Sequence, residues 1–325
     1  MELNPKDPLN YNNRGLVHRR LDRDELAIAD FDEAIKLDPK YAGAYYNRGQ
    51  SYAWKGEYAR AIGDFDQAIK YDPSDPDAYN ERGMYLDELG EYDKAIADYT
   101  QALKLNPNLA IAYNNRGVSY ANKKDYARAL QEYDQALKTD PNVEHAHGNR
   151  GRALFRMKQY QAAVTALDEA IRKNPQDGES FRFRGLSKVM LGLSDGAISD
   201  LDQAGQIMPE AKGIEGMRCL LRGIVNRDLN SALASCNRAI TEDPKDADPL
   251  DSRGFVHFRL GEFAAARADY DAALALAPKS AGALFMRGIL KQRDGDAAGG
   301  AADIAAAKAL DANIATEYAG YGVKE

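Results

Sequence analysis

Residues 76–109 read PDAYNERGMYLDELGEYDKAIADYTQALKLNPNL, and residues 110–143 read AIAYNNRGVSYANKKDYARALQEYDQALKTDPNV. The two segments agree in length and in register. Each has Arg-Gly at its seventh and eighth places, alanine at the twentieth and twenty-seventh, tyrosine at the twenty-fourth and a proline near its end. Self-similarity at a fixed period marks a repeat architecture and overrides any domain count taken from length. The proline carries the period outward, to Pro73, Pro39 and Pro5 on one side and to Pro141, Pro175, Pro209, Pro244 and Pro278 on the other. The steps are equal except for that from Pro209 to Pro244, which is longer by one place. Nine units follow: 8–41, 42–75, 76–109, 110–143, 144–177, 178–211, 212–246, 247–280 and 281–314. Residues 1–7 read as the remnant of a preceding unit, because Leu3-Asn4-Pro5 repeats Leu105-Asn106-Pro107, and 315–325 as a short capping segment. Nothing is left over for a separate catalytic module.

Each unit contains two amphipathic stretches of helical period, divided near its fifteenth place by Gly56, Gly90, Gly192, Gly261 or Gly295. Glycine or alanine at places 8, 20 and 27 lets two antiparallel helices approach, and Phe31, Phe65, Tyr99 and Tyr133 at place 24 fill the gap beside that contact. The proline ends the second helix. One such pair cannot bury its apolar face alone, so neighbouring pairs must stack.

The pattern resembles the tetratricopeptide repeat over essentially the whole chain. The resemblance implies an all-α, right-handed α-solenoid superhelix of nine helix-turn-helix repeats, with the first helix of each unit lining a concave groove. It also implies a protein-interaction scaffold rather than an enzyme. One departure stands out. Place 7, apolar in the common pattern, is arginine throughout: Arg14, Arg48, Arg82, Arg116, Arg150, Arg184, Arg218, Arg253 and Arg287. Place 23 of the same unit carries an acid in seven cases: Asp30, Asp64, Asp98, Glu132, Asp200, Asp269 and Asp303. This predicts an internal ion-pair ladder of bidentate guanidinium–carboxylate contacts across each helix hairpin. Arg150 and Arg218 face Ala166 and Ser235 instead, and must pair elsewhere or be open to a partner.

By the same resemblance, places 2, 5, 6, 9, 12 and 13 face the groove. The first five units put Asn13, Asn47, Asn80, Asn115 and Asn149 there. An amide is both donor and acceptor, so such a row can pair with an extended backbone whatever its side chains. It looks like the asparagine ladder of the repeat domain of O-GlcNAc transferases. Later units turn apolar and basic: Arg152, Arg156, Arg182, Phe183, Phe255, Phe258 and Met286. Nine Lys/Arg against four Asp/Glu between residues 145 and 190 suggest a partner with an acidic segment. No asparagine occurs at place 9, so the carboxylate clamp of Hsp70/Hsp90-type repeat domains is absent.

With 43 Lys/Arg against 50 Asp/Glu, net charge −7, the chain is poorly suited to general nucleic-acid binding. It has no run of about 18 apolar residues that could span a membrane. His18 and His257 sit at a packing place, and His145-x-His147 lacks helical zinc spacing. No metal, cofactor or catalytic residue is therefore assigned. Cys219 and Cys236 fall at places 8 and 24 of one unit; two buried thiols are the plainer reading, and a disulfide, with an oxidising compartment, is the other. Cytoplasm and periplasm both stay open. Two alternative functions remain: a self-assembling homo-oligomeric scaffold, and the regulatory repeat region of a larger enzyme.

Overall fold

The computed structural model describes residues 6–323. Among them are nineteen α-helices and no strand. The chain divides into two compact units, 1–159 and 160–325. Residues 1–5, most of the expected remnant, and 324–325, at the end of the expected cap, lie outside the described residues.

The first unit holds α1 (Pro8–Arg20), α2 (Asp24–Leu37), α3 (Ala42–Trp54), α4 (Tyr58–Tyr71), α5 (Pro76–Glu88), α6 (Tyr92–Leu105), α7 (Ala110–Asn122), α8 (Tyr126–Thr139) and α9 (Ala146–Arg156). Helix starts follow from capping. Asp7 and Asp75 each accept a backbone N–H of the first turn, at 3.0 and 2.9 Å, with Pro8 or Pro76 just inside. First helices end where the chain turns left-handed at Gly56 (φ 77°) and Gly90 (φ 75°), with Glu57 N–H returning to the Tyr52 carbonyl at 2.9 Å.

Within each of these hairpins an aromatic ring of the second helix lies on a glycine of the first. A Cβ added at Gly117 would stand 2.6 Å from the Tyr133 ring. The rings of Phe31, Phe65, Tyr99 and Tyr133 are at most 2% exposed, and burying each is worth about 1.5–3 kcal/mol. Ala27, Ala61, Ala95 and Ala129 beside them are fully buried.

The second unit contains α10 (Tyr160–Lys173), α11 (Gly178–Met190), α12 (Ser194–Ile207), α13 (Ile214–Val225), α14 (Leu229–Glu242), α15 (Asp248–Leu260), α16 (Phe263–Leu276), α17 (Ala281–Arg293), α18 (Ala297–Leu310) and α19 (Ile314–Gly320). Its α13–α14 hairpin departs from the rule, because cysteine replaces both the glycine and the ring. Cys219 and Cys236, both fully buried, are joined by a disulfide across a Cα–Cα distance of 5.1 Å. This corrects the plainer reading of two free thiols: two sulfurs bonded to each other occupy the slot that a ring fills in the first unit and that Leu201, Tyr270 or Ile304 fills in other hairpins of the second. The turn after α13 is irregular, with Asn226 and Asp228 at positive φ. Gly223 lets α13 approach α15, where a Cβ would lie 3.1 Å from Val256.

Candidate functional site

The arginine ladder is an internal brace. All seven predicted pairs form, from Arg14–Asp30 to Arg287–Asp303; in Arg48–Asp64, Nε and Nη2 meet the two carboxylate oxygens at 2.8 and 2.7 Å. The sequence reading missed a second set. Each arginine from Arg48 on also reaches back into the preceding hairpin: Arg48 to Asp32 at 2.6 Å, Arg82 to Asp66 at 2.6 Å, Arg184 to Asp168 at 2.7 Å, Arg287 to Asp271 at 3.0 Å. Arg116 and Arg253 meet Thr100 and Asn237 in the same way, at 3.0 and 2.7 Å. Arg150 and Arg218 use this route, bonding Asp134 and Asp202 at 2.6 and 2.9 Å. Each of these guanidinium groups therefore ties one hairpin to the one before it. The constant backward spacing was the signal that could have revealed this.

The asparagines connect first helices. Asn47 Nδ2 donates to Asn12 Oδ1 at 2.9 Å, Asn115 to Asn80 at 3.2 Å and Asn149 to Asn114 at 2.9 Å, each from one hairpin to the next. Asn80 and Asn149 are buried, Asn47 and Asn115 half-buried and Asn13 exposed. The row is thus partly spent on stacking. Each bond uses one N–H and one lone pair, so every amide keeps further capacity. The series breaks between α3 and α5, where Tyr46 and Glu81 occupy the corresponding places.

A cavity of about 630 Å³ lies beside Glu81, lined by residues of α1, α3 and α5, among them Trp54 and Tyr85, and by Asp24 and Tyr58 at the starts of α2 and α4. Burial, and then Asp77, push the Glu81 carboxyl up to about 7. Further along the same helix, burial raises Asp87 to about 6 although it accepts hydrogen bonds from Ser119 Oγ and Tyr99 Oη.

The apolar residues expected on an open face of the later units need correcting. Phe183, Phe255 and Met286 are 6%, 3% and 0% exposed, and Phe258 is half-buried. The reason for Phe255 and its neighbours is α19. Tyr318 packs edge-on against Phe255 at 5.7 Å and lies tilted against Phe285 at 5.3 Å, and Tyr321 stands 6.1 Å from Phe255. Arg259 donates to the Tyr321 carbonyl. Met286 belongs to the same buried cluster, with Leu290 and Ile314.

The basic stretch is also largely committed. Arg150, Arg172, Arg182, Arg184 and Lys188 all make ion pairs with acids, and Arg182 lies over the Phe183 ring. Arg152 donates to Asn149, and Arg156 is exposed at the end of α9. Among the described residues no group of three or more His, Cys, Asp or Glu could hold a metal, and no helix is long and apolar enough to cross a membrane.

Models of the tetratricopeptide repeat match residues 18–54, 46–108, 80–144, 120–184 and 220–286, together well over half of the chain. No curated protein matches it. Among solved structures, it is similar to a chain of the APC/C hetero-tetramer Cut9–Hcn1 at 21% identity and TM-score 0.59, over 66% of this chain and 42% of that one, less than half its length. PilF of Pseudomonas aeruginosa matches at 20% identity and TM-score 0.57, over 63% of this chain and 93% of that one. A tetratricopeptide repeat protein of Parabacteroides merdae matches at 16% and 0.53, over 87% and 98%. At these identities the likeness shows the fold alone.

Proposed function

The chain belongs to the tetratricopeptide repeat family, and from that premise we propose that it is a non-catalytic scaffold whose nine units present their first helices to an extended peptide or helix of a partner protein. Tetratricopeptide repeats are protein–protein interaction modules, and fold alone does not name the partner. The observation that carries the reading is the alignment of amides along α1, α3, α5, α7 and α9. Except between α3 and α5, adjacent first helices bring these groups within hydrogen-bond distance of one another, and the capacity they retain matches the N–H and C=O of a main chain. Asn13, Asn47 and Asn115 are the most accessible members, so they form the centre of the proposed site. Phe258 and Arg156 extend it only within their own units. Because its cations are mostly paired internally, the basic stretch adds little to the case for an acidic partner segment.

The test is to select peptides on the full chain and compare Asn13→Ala and Asn115→Ala with the parent. We expect binding at least 5-fold weaker with helical circular dichroism unchanged. Unaltered affinity in both variants would refute the assignment.

A further inference from the structure

The cavity of the first unit has a chemistry that selects its guest. Trp54, the only tryptophan in the chain, is 77% exposed beside it. Tyr58 and Tyr85 stack at 5.5 Å with their planes 27° apart, and Phe65 stacks on Tyr85 at 5.9 Å, so Trp54 supplies the most open ring of the wall. Aromatic faces of this kind attract cations through the ring quadrupole. Carboxylates complete the wall. Glu81 is half-buried and makes no hydrogen bond or ion pair with any described residue, and Asp24 has a buried Oδ1 without a hydrogen-bond partner. Asp22 lies on the rim. A carboxylate withdrawn from water without a donor is costly, and a cationic donor relieves that cost where a neutral or anionic group does not.

Two arginines also line the cavity, and they do not reverse its character. Arg19 donates to Gln50, which in turn donates to Tyr46 Oη at 3.1 Å, while Arg20 is exposed. With Glu81 ionised, three carboxylates against two guanidinium groups leave the lining acidic.

We propose that this cavity receives one cationic side chain, lysine or arginine, from the partner segment, with Glu81 as its counter-ion and Trp54, Tyr58 and Tyr85 as its walls. The proposal rests on the groove reading above and names the residue type that anchors the partner there. It has a pH signature. Asp77 and Tyr85 on the same helix, Arg19 from α1, Tyr46 from α3 and Tyr99 from α6 interact electrostatically with Glu81, and Arg20, Asp22, Asp24 and Tyr58 line the same cavity. A bound cation favours the carboxylate, so affinity rises as pH climbs through about 7, where Glu81 loses its proton.

The experiment uses the full chain and labelled twelve-residue Ala/Ser peptides carrying one central lysine, arginine, glutamine or glutamate. Fluorescence anisotropy reads binding, and emission from Trp54 reports occupancy of the cavity. Lysine and arginine peptides are expected to bind at least 5-fold tighter than the glutamine peptide at pH 8 and to shift Trp54 emission. The advantage should shrink at pH 5.5 and vanish in Glu81→Gln, whose helical circular dichroism should match the parent's. Equal binding of lysine and glutamine peptides overturns the cation pocket while the groove reading stands. Tightest binding of the glutamate peptide, or no binding of the lysine peptide with Trp54 emission unmoved, overturns the pocket as well.

Discussion

At the scale of single residues, the arginine at place 7 shows what a linear sequence discloses and what it hides. Its acid at place 23 lies in the same hairpin, where local geometry fixes the distance, so spacing alone identified it. Its second partner lies in the preceding hairpin and depends on how hairpins stack, which one unit does not encode. The asparagines were ambiguous for the same reason: an amide between two first helices can face a ligand or a neighbour, and only coordinates decide how much of it each takes. The ladder's contribution can be measured. Asp64→Ala strips Arg48 Nε and Nη2 of their partners while the arginine side chain stays 19% exposed and still bonded to Asp32. We expect a loss of about 1–3 kcal/mol in urea denaturation, with peptide binding kept. A change below about 0.3 kcal/mol would mean that the pair is dispensable.

At the scale of elements, hairpins were legible because glycine, alanine and aromatic residues recur at places where two helices must touch. The exceptions were less so. A double change to cysteine at the packed pair was visible, but whether the sulfurs bond depends on how closely α13 and α14 approach. Coverage of Phe255 was hidden because α19 is short and its register gives no hint that Tyr318 reaches back past α17 to α15. The disulfide closes a loop with a sequence separation of 17, for which chain-entropy arguments give about 2–4 kcal/mol. Reduction should lower the unfolding free energy by that amount. A Cys219→Gly, Cys236→Phe variant, restoring the pair used in other hairpins, should show no response to reductant. Equal stability of the oxidised and reduced parent would show that the bond contributes nothing.

At the scale of the whole molecule, the acidic balance does not translate into stability that simply rises with pH. Burial raises Glu81 and Asp251 to about 7 and Asp87 to about 6. The folded chain therefore holds protons that the unfolded chain, with carboxyl values near 4, releases. The stability these groups contribute is full below about pH 4 and is lost as pH climbs toward 7. Glu215 and Asp303, held down by hydrogen bonds and arginine neighbours despite burial, act oppositely and lose their contribution in acid. The melting temperature should fall between pH 5 and pH 8, and less steeply in Glu81→Gln; a flat or rising profile would contradict these assignments. The account as a whole stands on the row of first helices as the binding surface. Deuterium exchange on the full chain, with and without a peptide selected on it, tests that most directly. The account predicts slowed exchange in α1, α3, α5 and α7 with α2, α4, α6 and α8 unchanged, and protection confined to the second helices would contradict it.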